Sequence, residues 1–206
     1  MPDTALDRAL SEMSDPAVVA AGPPPAPRVA PPWSVSAVRP GGPELPLVQR
    51  WMAAPHVAEF WHQDWSLGAW AAAVDRQHAG AHSRPWLVAL DGEPVAYVEV
   101  YRPARDVIAR CLDVDAHDLG VHIAIGDPDR TGRGVGPRVL RAVVGGLFAA
   151  DPRCERVLGD PDASHTVARR AFAAAGFAPV AEVDLPHKRA ALVAHVRTDA
   201  AAAVDR

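Results

Sequence analysis

The sequence predicts a mixed α/β fold, with a mostly antiparallel central sheet flanked by helices. Three observations carry that expectation. Two strand-like runs, 86–90 and 94–101, flank Asp91, Gly92 and Glu93, a hairpin turn signal. A third run at 119–125 leads into a glycine-rich turn at 130–136 and then a helical stripe at 139–148. A second hairpin-like pair, 179–184 and 188–196, closes the sheet.

The bounds agree with one globular unit. A chain of 206 residues with 49% hydrophobic content can bury a real core. The net charge of -4 argues against a nucleic-acid partner, which calls for a basic surface. Cys111 and Cys154 are far apart and lack a CxxC partner, so neither a disulfide framework nor a metal site is expected. No apolar run reaches transmembrane length, and Asp3, Asp7 and Glu12 do not suit a signal peptide. A cytoplasmic protein without membrane partners is expected, as monomer or homodimer.

Residues 1–32 read as a flexible lead-in, weakly helical to about Ala20 and then proline-rich, which favours extended backbone. A docking segment for a partner is the alternative. The folded domain is expected over 33–197, with a frayed tail at 198–206. It starts at Trp33 with an edge strand that alternates apolar and small polar residues. Short helices follow over 44–54 and 56–61, the first striped by Leu45, Leu47, Val48, Trp51 and Met52. Ser66 is an N-cap for a helix over 67–78. Trp61 and Trp65 are either core packing between helices or the wall of a pocket. Residues 103–114 form a loop or short helix.

The strand 119–125 has two unlike faces. Leu119, Val121, Ile123 and Ile125 point one way; Gly120, His122 and Ala124 point the other. The second face leaves space beside it, which either a ligand or an aromatic side chain can fill. In the latter case His122 is a satisfied core histidine. In the helix that follows, Val139, Leu140, Val143, Val144, Leu147 and Phe148 make one apolar face, and Pro137 suits its first position. Gly145 and Gly146 weaken its interior by about 1 kcal/mol each, which points to close packing there. Residues 156–158 form a short strand and 159–164 a turn. The next helix carries a stripe of Val167, Ala168, Ala171, Phe172 and Ala175, with Gly176 as its C′ residue.

The turn from Arg130 to Gly136 places Gly132, Gly134 and Gly136 ahead of a helix, a cradle for phosphate or pyrophosphate. It lacks the Gly-Lys-Ser/Thr end of a Walker A loop. It also follows an antiparallel hairpin, which does not suit a dinucleotide fingerprint. An acyl-CoA loop is the third class. The chain resembles the GNAT N-acetyltransferase superfamily from about Trp33 to Arg197. Its pyrophosphate loop is matched by Thr131, Gly132, Arg133, Gly134, Val135 and Gly136, with Thr131 where Gln or Arg is usual. Its Asn-led helix ending in Gly-Phe is matched by 165–177, with His165 in place of Asn. Phe172 stands where many members carry a tyrosine general acid, so that acid is absent.

The resemblance is more specific to the siderophore branch, the lysine and hydroxylysine N-acyltransferases. The shared features are Pro55, His56, Phe60, Trp61 and Trp65, then 98–101, 118–125, 133–137 and 160–162. The resemblance implies acyl-CoA as co-substrate and a small-molecule amine as acceptor. It implies Asp160 as proton acceptor and His122 as the group that holds or polarises the substrate; the reverse assignment stays open. Acyl-CoA contacts fall on Ile123, Ala124, Ile125, the 131–136 loop, Arg138, His165 and Arg169. Acceptor contacts fall on His122, Trp61, Trp65, Glu99 and Tyr101. Taken without the resemblance, Asp160 is also readable as a turn or capping aspartate.

The chemistry agrees with this on independent grounds. A lysine-type ammonium must lose a proton before it attacks a thioester, and no serine or cysteine nucleophile motif is evident. Direct attack in a ternary complex is therefore expected. Two alternatives stay open. An aminoglycoside 6′-N-acetyltransferase needs acidic residues such as Asp64, Glu99, Asp113 and Asp115 around its polycationic substrate. A non-catalytic acyl-CoA-binding domain keeps the loop without turnover.

Overall fold

The structure, a computed structural model, describes residues 15–198. Helix α1 (Pro16–Ala21) leads to strand β1 (Trp33–Ala37) and three helices, α2 (Leu45–Met52), α3 (Pro55–Trp61) and α4 (Leu67–Ala79). The hairpin β2 (Ser83–Leu90) and β3 (Glu93–Tyr101) follows, then β4 (Leu119–Ile125) and α5 (Val135–Ala150). Strand β5 (Arg156–Gly159), α6 (Thr166–Ala174) and the hairpin β6 (Ala178–Leu185) and β7 (Lys188–Val196) complete the chain. The strands form one sheet in the order β1-β2-β3-β4-β5-β7-β6. All pairs are antiparallel except β4 with β5. The predicted class and the strand order along the chain hold.

Local chemistry explains the elements. Asp91 and Gly92 take φ of 51° and 80°, the paired left-handed residues of a type I′ hairpin turn. The Ser66 hydroxyl accepts from the Ala69 amide at 3.3 Å and starts α4. Strand β3 is buried from Val95 to Tyr101 because both faces are covered. On one side Val98, Val100, Leu119 and Val121 pack under Val139, Leu140, Val143 and Leu147 of α5. On the other, Tyr97 and Ala124 pack under Val48, Met52, Trp70 and Val74 of α2 and α4. The two faces of β4 are those its alternation predicts.

Three sequence expectations change. Residues 15–32 are packed against the body rather than forming a flexible lead-in. Val18 is buried, and the buried guanidinium of Arg102 donates to the carbonyls of Ala21 (3.1 Å) and Gly22 (3.2 Å). The Arg28 amide donates to the Gly146 carbonyl at 2.9 Å. A proline-rich run cannot pair with itself, but its carbonyls still accept, and Arg102 supplies the donors. The same contact explains Gly146, where a Cβ would lie 3.0 Å from the Arg28 amide nitrogen; no neighbour accounts for Gly145. Residues 1–14 and 199–206, the rest of the expected lead-in and nearly all of the expected tail, lie outside the described residues.

Helix α5 begins at Val135, so Pro137 is its third residue rather than its first. It remains in the first turn, whose amides have no intrahelical acceptor. Val167 is 56% exposed and leaves the apolar stripe of α6, because only the C-terminal half of that helix, around Phe172, enters the core.

The sheet splits where β4 meets β5. They pair only at Leu119 with Val157 and Gly120 with Leu158. Beyond Gly120, β4 continues to Ile125 beside β3 while β5 ends at Gly159. The opening of this split positions the site.

Candidate active site

Register builds the site. Glu99 of β3 lies directly opposite His122 of β4, so their side chains share one face of the sheet. Asp160 follows the last residue of β5, across the split from His122. The result is a row of three groups. His122 Nδ1 lies 3.4 Å from Glu99 Oε2, and its Nε2 lies 2.8 Å from Asp160 Oδ1.

Neighbours hold this row. The Tyr101 hydroxyl donates to Asp160 Oδ1 at 3.1 Å, and its ring stacks on His122 at 4.6 Å. That position exists because residue 120 is glycine: a Cβ there would lie 2.1 Å from Tyr101 Cζ. Tyr97 and Gln77 donate to Glu99 Oε1 at 2.8 Å and 3.0 Å. Trp61 meets the His122 ring edge-on at 6.1 Å.

Lys188 Nζ lies 2.8 Å from Asp160 Oδ2. Burial alone raises the Asp160 carboxyl, but the ammonium of Lys188 and then His122 outweigh it. The carboxyl is held well below the ordinary carboxylate range. Asp160 is 4% exposed, so these partners and Tyr101 take the place of water around a buried charge.

A pocket opens over the row. His122, Asp160 and Lys188 line it together with Phe60, Trp61, His165 and Phe172. The Phe60 and His165 rings stack in parallel at 3.7 Å. Burial pushes the His165 imidazole pKa down, opposed by Glu59 and Asp162. Phe172 fills the space left by Gly159, where a Cβ would lie 2.4 Å from its ring.

The predicted residues divide into those that line the pocket and those that stand behind it. His122, Asp160, Trp61, Ile123 and His165 line it. Glu99 and Tyr101, expected to contact the acceptor, stand behind His122 and brace it. Trp65 packs on Trp70 at 5.4 Å in the helical core instead of facing the pocket. The reason is the chain turn at His62, whose φ of 53° sends the segment after α3 in a new direction. Ala124 is buried under the helices, and the Ile125 carbonyl lies 2.9 Å from His56 Nε2.

The expected CoA contacts also divide. Gly132 and Gly134 take φ of 68° and 75°, and no atom lies within 4 Å of where a Cβ would stand. The N-terminus of α5 has no side-chain cap, and Arg133 is exposed beside it. Uncapped amides at a helix N-terminus suit a pyrophosphate. Thr131 instead donates its hydroxyl to the Pro128 carbonyl at 2.7 Å and closes its own turn. Val135 opens α5, and a Cβ at Gly136 would stand in ordinary contact with Ala171 of α6, 3.5 Å away. Arg138 lies over the Trp33 ring at 5.6 Å. Arg169 donates to the Ala163 carbonyl and pairs with Glu182.

Sequence reasoning gave no site role to Lys188, and named Phe60 only among the residues that carry the family resemblance. One signal pointed at the first: Lys188 is the only lysine in the sequence, every other one of its 21 basic Lys and Arg residues being arginine.

The Acetyltransferase (GNAT) domain family matches residues 42–185. The chain belongs to the GNAT acetyltransferase family. The lysine N-acyltransferase MbtK of Mycolicibacterium paratuberculosis is 38% identical over 92% of this chain and 84% of its own length. The N(6)-hydroxylysine O-acetyltransferase of Escherichia coli is 33% identical over 70% of this chain and 46% of its own length. The aminoglycoside acetyltransferase AAC(6')-Ib, solved with coenzyme A, superposes with a TM-score of 0.68 at 22% identity, covering 80% of this chain and 95% of that one; this is a likeness of fold. The protein is an acyl-CoA-dependent acyltransferase. No helix among its described residues is long and apolar enough to cross a membrane.

Proposed function

We propose that the protein transfers an acyl group from acyl-CoA to the side-chain amine, or hydroxylated amine, of a lysine-type siderophore precursor. The observation that carries this reading is the buried row Glu99, His122 and Asp160 at the mouth of the β4–β5 split, with an ε-ammonium already seated on Asp160. A site that holds one lysine side chain this way is chemically suited to another. The similarity to lysine N-acyltransferase MbtK over most of both chains supports the same acceptor class.

The residues divide the work as follows. The acceptor ammonium docks on Asp160 Oδ2. An amine of pKa near 10.4 costs about 4.6 kcal/mol to deprotonate at pH 7. The Asp160–His122 pair takes that proton, and because the two groups share one short contact the proton belongs to the pair rather than to either residue. Glu99 fixes the far ring nitrogen and keeps His122 oriented. The free amine then attacks the thioester carbonyl. Backbone of β4 beyond Gly120, unpaired on its β5 side, supplies donors for the oxyanion.

Among the described residues that line the pocket there is no serine or cysteine, which favours direct attack over an acyl-enzyme. Phe172 offers no proton to the departing thiolate, so the attacking nitrogen provides it. The uncapped α5 N-terminus with Gly132 and Gly134 is the proposed seat of the CoA pyrophosphate. Asp64, Asp113 and Asp115, which a polycationic aminoglycoside would call on, do not line the pocket, and this favours a small acceptor that presents one ammonium to Asp160.

The test is a panel. Acetyl-, succinyl- and long-chain acyl-CoA are each offered with lysine, N6-hydroxylysine, ornithine and kanamycin, and CoA thiol release is followed. Turnover with lysine or N6-hydroxylysine is expected. Turnover with kanamycin alone contradicts the reading.

A further inference from the structure

We propose that Lys188 is itself an acyl acceptor: with acyl-CoA bound and no amine substrate present, the enzyme acylates its own Lys188 Nζ. This rests on the acyltransferase reading above and extends it to a modification site in the chain.

Three observations carry the inference. First, Lys188 lines the pocket at the first position of β7, and its Nζ lies 2.8 Å from Asp160 Oδ2. That is the oxygen on which an acceptor ammonium would dock, since Oδ1 is already engaged by His122 and Tyr101. Second, a lysine ε-ammonium is chemically the same group as the proposed acceptor. The base that would deprotonate one is equally placed for the other. Third, Lys188 is the only lysine in a chain otherwise supplied with arginine. A guanidinium stays protonated and cannot attack a thioester. An arginine would hold Asp160 as well and be inert, whereas the residue present is the one cationic side chain that can be acylated.

The step balances as the substrate reaction does. The ammonium of Lys188 gives one proton to the Asp160–His122 pair. Its nitrogen lone pair forms the N–C bond to the acyl carbon, and the C–S bond breaks. The nitrogen's second proton goes to the thiolate, which leaves as CoA thiol. The product amide is neutral, so the ion pair to Asp160 is lost and the acyl group occupies the acceptor position. The enzyme is thereby switched off when acyl-CoA accumulates without its amine partner. An acceptor in excess displaces Lys188 from Asp160 and protects it.

The experiment incubates the full chain with acetyl-CoA, and separately with a long-chain acyl-CoA, with and without saturating lysine, keeping acyl-CoA in excess throughout. The proteolytic peptide that contains Lys188 is followed by mass spectrometry, and transfer to free lysine is measured in the same tubes. The expected result is one acyl group on Lys188 in the absence of acceptor, suppressed by free lysine, with a labelling rate about 100-fold or more lower in His122→Ala. Acylated free lysine with an unmodified Lys188 overturns the inference while leaving the proposed function standing. Labelling that is equal in His122→Ala is solution chemistry and overturns it too. No transfer to any acceptor contradicts the proposed function, and this inference with it.

Discussion

Glu99 and His122 are partners in the β3–β4 register, and this pairing turns an ordinary strand position into one end of a proton-handling row. With its Nδ1 facing Glu99, His122 presents Nε2 across the split to Asp160. The orientation of the ring is set by sheet geometry rather than by a loop, which makes it rigid before substrate arrives.

Lys188 sets the electrostatics of Asp160. After burial, which raises the carboxyl, the Lys188 ammonium is the strongest influence that lowers it. In Lys188→Met the carboxyl should rise, so the acid limb of kcat/KM should move to higher pH. The stability sign is the same. A carboxyl depressed in the folded state stabilises it above its unfolded pKa of about 3.9, and that contribution is lost as pH falls through the lower folded value. Lys188→Met should therefore lose stability at a higher pH than the parent. Coincident pH–rate profiles would show that Lys188 does not tune Asp160.

Gly120 reserves the space for the Tyr101 ring. In Gly120→Ala the new Cβ would stand 2.1 Å from Tyr101 Cζ, so the ring must move. Overpacking of this kind costs about 1–3 kcal/mol. Because Tyr101 also stacks on His122 and donates to Asp160, turnover should fall by more than the loss of folded protein explains. Urea unfolding and steady-state rates on the same preparation check both parts.

Gly134 combines left-handed backbone with open space toward solvent. A β-branched residue there is strained by roughly 1–2 kcal/mol and crowds the amides of the α5 N-terminus. Gly134→Val should abolish CoA binding by calorimetry while the urea midpoint shifts only modestly. Unchanged affinity would make the turn structural.

The two cysteines should differ sharply. Burial and the nearby carboxylates of Asp118 and Asp151 push the Cys154 thiol up to about 12, and the thiol donates to the Arg156 carbonyl. Cys111 is exposed. One thiol should react with a maleimide in native protein and the second only on unfolding; fast native labelling of both would contradict the packing around Cys154.

Much of this was legible in the sequence wherever the signal is local. The alternation of β4 assigns Gly120, His122 and Ala124 to one face, and the stripe of α5 assigns its core face, because both follow from backbone period alone. The type I′ turn at Asp91 and Gly92 is equally local. What was not legible depends on distant partners. The proline-rich segment docks through Arg102 and the Gly146 carbonyl, neither of them near it in sequence. Lys188 reaches Asp160 only because the β6–β7 hairpin brings its turn over the pocket. Trp61 and Trp65 look alike on paper. Only the left-handed turn at His62 decides that the first faces the pocket and the second the helical core.

The central claim is that the Asp160–His122 pair removes the proton from a lysine-type acceptor. Its most direct test is CoA thiol release with N6-hydroxylysine or lysine in the parent, in Asp160→Asn and in His122→Ala, with CoA affinity measured alongside by calorimetry. Asp160→Asn keeps the shape and removes the charge. The account predicts that each variant binds CoA normally and loses roughly 10²- to 10⁴-fold in kcat. Full turnover in both variants, with CoA binding intact, would contradict it.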